Sequence, residues 1–156
     1  MSAPTGLALL EAFEDLRQLK ARYFRLLDTK DFVAFRDVFT EDFRYLDDAK
    51  DLVIEGRDAW VDFIVQRHTD SVSVHVGHDP ELTLDSDTEA HGIWGMLDYV
   101  ILPLANGRRV QTGAGHYRER YRKVDGQWRI AETHLSRLWL SVDQQERNFA
   151  DVTARP

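Results

Sequence analysis

The hydrophobic positions of this chain change period along its length, dividing it into a helical first part and a stranded second part. From Leu7 to Leu27 apolar residues recur three and four apart, at Leu9, Phe13, Leu16, Leu19, Tyr23, Leu26 and Leu27. That spacing predicts a long amphipathic helix with its charges on the far side. Asp31 then caps a short helix predicted to run through Phe39, with Phe32, Phe35, Val38 and Phe39 on its buried stripe. Phe43–Asp47 and Leu52–Glu55 read as short strands around the polar turn Asp48-Ala49-Lys50-Asp51. A third helix follows Gly56 and carries Trp60, Phe63, Ile64 and Arg67 on one side. It ends near His68, which as a cation would complement the negative end of a helix, so His68 reads as a cap.

From Val72 onward the period is two. Val72 to Leu102 reads as two long strands joined at Asp85-Ser86-Asp87-Thr88. A two-residue loop there sets His75 opposite Asp98, on one face and about 5 Å apart at Cβ. Alternation puts Val72, Val74, Val76, Leu82 and Leu84 on one side with Ile93, Leu97, Tyr99 and Ile101. Ser73, His75 and Gly77 fall on the other, beside Trp94, Met96 and Asp98. Pro80, just after Asp79, signals a bulge or an edge, and one inserted residue is expected to carry His75 off the Asp98 face. Asn106-Gly107, taken as a two-residue loop, sets Asp98 opposite Gly115, so that Asp98 shares a face with His134. Asp125-Gly126 is a strong type I′ signal joining Val110–Val124 to Gln127–Val142. It sets Tyr117 opposite His134, Tyr121 opposite Ile130 and Ala114 opposite Arg137. Residues 1–6 and 143–156 read as tails.

Helices followed by meandering strands predict an α+β architecture. Residues 1–156 suit a single domain, with the long first helix lying across a curved sheet and leaving a conical pocket. A net charge of −7 argues against a nucleic-acid partner. The chain has no cysteine, so disulfide and thiol chemistry are excluded and a reducing, cytoplasmic location fits. The start lacks a basic n-region, and no apolar run approaches the roughly 20 residues of a membrane helix.

The chain has no nucleophile elbow, glycine-rich phosphate loop or dinucleotide fingerprint. His75 and His78 have a metal-ligand-like spacing, but on a strand they point to opposite faces, so no metal site is expected. What remains is general acid–base chemistry without a cofactor. His75 suits a base because its ordinary pKa lies near neutrality, and a carboxylate partner fixes its tautomer. A tyrosine hydroxyl can hold a developing enolate. Asp28 lies at the carbonyl end of the first helix, a poor place for an anion. It is therefore either exposed and tolerated or bound by a specific donor.

These residues give the chain a resemblance to the SnoaL-like branch of the NTF2-like (cystatin-like) superfamily, over about Leu7 to Leu140. Within it the chain is most similar to bile acid 7α-dehydratases and, more distantly, to scytalone dehydratase. The matching stretches are Arg22-Tyr23-Phe24-Arg25-Leu26-Leu27-Asp28, Ser73-Val74-His75-Val76-Gly77-His78-Asp79-Pro80-Glu81, Gly92-Ile93-Trp94 through Asp98, and Lys123-Val124-Asp125-Gly126-Gln127-Trp128 through Arg137. The resemblance implies a curved sheet wrapped around the long helix and two further helices. It implies Tyr23 as the carbonyl-polarising hydroxyl, His75 as the base and Asp28 as its orienting partner, with Asp98 and Arg137 completing the polar pocket. A further pocket tyrosine of the family falls on Asp47, or on Tyr45 if a small gap is allowed, and His134 stands where the family has glycine. Tyr45, Asp47, Trp94, Met96, Tyr117 and His134 are the candidate substrate-binding side chains. The implied function is a cofactor-independent dehydratase or isomerase acting on a small apolar, carbonyl-bearing steroid, polyketide or aromatic compound. The alternatives are a non-catalytic ligand-binding or accessory domain and, on Asp28, Asp47 and Asp98, epoxide or ring-opening hydrolysis. The apolar outer face of the hairpin predicts a homo-oligomer, with a trimer favoured because the related dehydratases are trimers and a dimer possible.

Overall fold

The computed structural model describes residues 6–143 and the backbone of 145–148. The first helix, α1 (Leu7–Asp28), buries Ala12, Leu16, Leu19, Lys20, Tyr23, Leu26 and Leu27 along one stripe. A short α2 (Phe32–Arg36) follows, its Asp31 side chain accepting from the Ala34 backbone N–H. It stops short of the predicted Phe39. The Val38 carbonyl accepts from the Ile130 N–H and Phe39 pairs with Ile130, so sheet formation claims the residues whose spacing suited a helix. Strand β1 is therefore Phe39–Asp47. A single 3₁₀ turn leads to β2 (Leu52–Glu55) and α3 (Arg57–His68).

The long strands are β3 (Val72–Leu84), β4 (Glu89–Leu104), β5 (Gly107–Val124) and β6 (Gln127–Val142). The sheet order is β2-β1-β6-β5-β4-β3, with β1–β6 parallel and the other neighbouring pairs antiparallel. The predicted C-terminal tail begins with a short strand, β7 (Gln145–Asn148), paired to the end of β6. Residues 1–5, 144 and 149–156 of the expected tails lie outside the described residues. The α+β cone expected from the chain is the architecture found. Its core is an aromatic run from Tyr23 through Phe35, Phe39 and Phe43 to Trp60, with ring centroids 4.5–5.9 Å apart.

Bulges decide which side chains face the cone. His75 does pair with Asp98, but not for the expected reason. The β3–β4 connection is one residue longer than a two-residue loop, pairing Leu84 with Ala90, and the bulge between His78 and Glu81 absorbs the extra residue. Two departures from the ideal hairpin cancel. The bulge also swaps faces along β3. Val72, Val74 and Val76 lie outside, whereas Leu84 is buried within. The β4–β5 loop is Ala105-Asn106, with Leu104 paired to Gly107, so Asp98 faces Gly113 rather than Gly115. The Asp125-Gly126 turn forms as predicted, both residues having positive φ and Val124 pairing with Gln127. Tyr121 faces Ile130, but bulges then shift the ladder, so that Tyr117 faces Leu135 and Gly115 faces Arg137. His134 faces Arg118 instead of Tyr117.

Candidate active site

Asp28 is the last residue of α1, and its carboxylate is held by dedicated donors. The His75 backbone N–H donates to Oδ2 at 2.9 Å, the Ser73 hydroxyl to Oδ1 at 2.8 Å, and the His75 ring Nδ1–H to Oδ1 at 2.7 Å. Lys30 extends the chain, its Nζ donating to the Ser73 hydroxyl at 2.7 Å. Burial pushes the Asp28 carboxyl up, but the hydrogen bonds from His75 and Ser73 together with the attraction of the imidazole outweigh it and hold the group below its ordinary range. These donors supply what the helix end withholds. With Nδ1 committed to Asp28, neutral His75 carries its bare lone pair on Nε2.

Tyr23, Tyr45 and Tyr117 line the same cavity as His75, Asp98 and Arg137. Burial foremost pushes all three phenols above their ordinary value, so they are neutral donors at pH 7. Arg137 Nη2 donates to Asp98 Oδ2 at 2.7 Å, and both side chains are buried. Asp98 Oδ1 and Arg137 Nε and Nη1 are buried with no partner. Buried polar atoms are rarely left so, and both residues line the cavity. Gly113 opposite Asp98 has no side chain because a Cβ there would collide with Arg137 Nη1. The cavity is small, about 60 Å³, room for a few waters. Lys50 and the exposed Arg67 contribute to its lining, so they sit where a larger molecule would have to pass.

The other expected binding residues lie elsewhere. Asp47 is buried behind Lys50, accepting from the Ala49 N–H and lying 3.3 Å from Lys50 Nζ. Trp94 and Met96 are buried on the His75 side of the sheet but do not line the cavity. Trp94 Nε1–H donates to the Tyr121 hydroxyl, which donates to Glu119. Glu119 also accepts from Thr133 and, at 2.6 Å, from fully buried Lys20. This network fills the narrow end of the cone. His134 pairs with Asp48 at 2.6 Å and is not in the cavity. His68, read as a cap, lines the cavity instead, its ring centroid 5.8 Å from that of His75. Burial foremost, with the nearby charges of Lys30, Arg67 and Lys50, pulls its pKa down to about 3, so it is neutral and cannot serve the helix end as a cation. A histidine ending a helix gives no sign in the sequence of which way its ring turns. Among the described residues no cluster of three or more His, Asp or Glu side chains is placed to hold a metal ion.

The SnoaL-like domain family matches residues 8–134, and the chain belongs to that family. Among solved structures it is similar to a variant of Rv3472, a function unknown protein from Mycobacterium tuberculosis. The two are 30% identical over 82% of this chain and 77% of that one, with a TM-score of 0.69. A putative scytalone dehydratase from Novosphingobium aromaticivorans is 22% identical over 90% and 93% of the two chains, with a TM-score of 0.77. A type 2 hexachlorocyclohexane dehydrochlorinase, LinA, is 16% identical over 88% and 93%, with a TM-score of 0.75. At those identities the last two establish a shared fold.

Proposed function

We propose that this chain is a cofactor-independent lyase or isomerase that removes a carbon-bound proton next to a carbonyl group. The observation that carries the reading is the Asp28–His75 pair, with His75 at the wall of a cavity that Tyr23, Asp98 and Arg137 also line. His75 Nε2 takes the proton, and Asp28 stabilises the imidazolium that forms. Tyr23 donates to the carbonyl oxygen as it becomes an enolate oxygen. Arg137 and Asp98 offer a cation and an acceptor to a second polar group of the substrate. Two of the structural neighbours, the putative scytalone dehydratase and the dehydrochlorinase, carry the names of elimination enzymes, which supports the reaction class. The substrate is an apolar ring compound bearing a carbonyl, of the steroid, polyketide or aromatic kind. It enters only if Lys50 and Arg67 swing aside, since the cavity of about 60 Å³ is smaller than any of these. We also propose that the chain self-associates through the outer face of β3 and β4, where Val72, Val74, Val76, Leu97 and Tyr99 are exposed.

The test is a screen of 3-oxo steroids and aromatic polyketide alcohols for loss of water or double-bond migration, followed by His75→Ala. The variant should keep its circular dichroism and lose at least about 100-fold in rate, the size of a general base's contribution. Equal turnover by the variant would remove the basis for the reading. Tight binding of these compounds without turnover by the native protein would favour the ligand-binding alternative.

A further inference from the structure

Lys20 is a fully buried titratable group that the proton-transfer scheme above does not use, and its surroundings show its charge. Its Nζ donates to Glu119 Oε1 at 2.6 Å, with neither side chain exposed. The Thr133 hydroxyl donates to the same oxygen at 2.9 Å. Trp94 Nε1–H, which can only donate, occupies a lone pair of the Tyr121 hydroxyl, whose own proton goes to Glu119 Oε2 at 2.7 Å. Both carboxylate oxygens therefore accept, which is the pattern of an ionised carboxylate. The countercharge is the Lys20 ammonium. Burial, the largest influence, pulls the Lys20 pKa down, and the attraction and hydrogen bond of Glu119 oppose it.

The ammonium also lies over three rings. Its Nζ is 3.9 Å from the Tyr117 centroid, 4.2 Å from that of Tyr23 and 4.7 Å from that of Phe24. Tyr23 and Tyr117 line the cavity beside His75, whereas Lys20 and Phe24 do not. The charge thus acts from behind the cavity wall. A cation on a ring face is attracted to the π electrons, most strongly where water is excluded. On a phenol it also draws electron density from the hydroxyl, which makes the O–H a stronger donor. A purely structural pair explains less. Exchanging a buried ion pair for apolar side chains of like volume often leaves stability unchanged or raised, so joining α1 to β5 does not require one.

We infer that Lys20 is a positioning residue of this site, its ammonium holding the Tyr23 and Tyr117 rings and strengthening their hydroxyls as donors to an oxygen that becomes negative in the cavity. The inference rests on the reading of Tyr23 as the group that holds the enolate oxygen. Glu119, Thr133 and Tyr121 fix the ammonium before any ligand arrives, so its help costs no reorganisation. Its pull grows as charge develops on the oxygen, and it therefore favours the enolate over the ketone. Burial foremost keeps both phenols above their ordinary pKa, so they act as donors that retain their protons.

Two probes of similar shape, 4-nitrophenolate and 4-nitrotoluene, differ in having or lacking the negative oxygen. Each is titrated into native protein and into the double variant Lys20→Met/Glu119→Gln, which removes one charge of each sign and leaves the net charge unchanged. The double variant should bind the phenolate at least about tenfold more weakly and the nitrotoluene within about twofold of native, a difference that a desolvated cation–ring contact can supply. Tyr23→Phe should also weaken phenolate binding, and by less in the double variant than in native protein, as expected where one group acts through another. Equal weakening of both probes by the double variant would show a merely structural pair and overturn the inference, as would unchanged phenolate binding. Phenolate binding indifferent to Tyr23→Phe in native protein, or native protein that binds neither probe, would instead remove the reading of Tyr23 and the inference with it. The ¹⁵N NMR signal of Lys20 Nζ in native protein near neutral pH decides the charge without any variant. An ammonium supports the inference, and a neutral amine ends it.

Discussion

At the scale of single residues, each functional group here is set by what its far side is bonded to. Asp28 is usable because backbone, hydroxyl and imidazole donors converge on it at 2.7–2.9 Å. His75 becomes an acceptor at Nε2 because the Asp28 carboxylate occupies its Nδ1. The acid behaviour of the protein follows. A free histidine takes a proton near pH 6.5, but folded His68 resists it until about 3. Between those values the unfolded chain binds a proton that the folded one refuses, so stability falls as the pH drops below about 6.5, by at most about 1.4 kcal/mol per pH unit. Asp28 has the opposite history. Its folded pKa lies below the unfolded value, so its contribution is full above about pH 4 and is lost as the pH falls through the folded value. The windows separate, and His68→Gln should flatten the pH dependence of urea midpoints between pH 6.5 and 4 while leaving the steeper loss below pH 4.

At the scale of elements, α1 and the interior strand β5 are joined through a charge that water never reaches. Lys20 is fully buried on Glu119, with its Nζ 4.2 Å from the Tyr23 ring centroid and 3.9 Å from that of Tyr117. Lys20→Met should cost about 3–5 kcal/mol, the usual penalty for leaving a buried partner charge uncompensated, as read from equilibrium urea unfolding. Gly113→Ala should cut any activity without unfolding the sheet, because its methyl displaces Arg137 from Asp98; crystallography or NMR of the Arg137 side chain would show the shift. The two long helices and the type I′ turn were legible in the chain because period and turn chemistry are local, whereas the expected His75–Asp98 pair came about only because a longer loop and a bulge cancel. The site's far wall was not legible. Arg137 rather than His134 reaches the cavity only because β6 skips a residue against β5 between Ile130 and Glu132, which turns Thr133, Leu135 and Arg137 inward. Alternation alone cannot show an irregularity that leaves no proline or glycine at the spot. Where a proline did mark one, at Pro80, its consequence ran opposite to expectation because the neighbouring loop was also one residue longer than a two-residue turn.

At the scale of the whole molecule, two faces of one sheet serve different ends. The concave side holds the cavity and the buried ion pair. The convex side of β3 and β4 leaves Val72 64%, Val74 53% and Leu97 47% exposed, a continuous apolar strip of the kind that marks association. Val74→Lys should lower the mass found by sedimentation velocity while leaving the Asp28–His75 pair intact, since residues 74 and 75 point to opposite sides; an unchanged mass would place any contact elsewhere. The slipped ladder positions also bear on inheritance. Each is a spot where a strand can gain or lose one amino acid and keep everything beyond it oriented as before. Among proteins as diverged as the 16% to 30% identical neighbours, equivalent atoms need not sit at equivalent counts from a shared landmark. Transferring a role from one such chain to another is safe only when single-position gaps are sought beside Pro80, Ala131 and Leu138, where this sheet has already absorbed them.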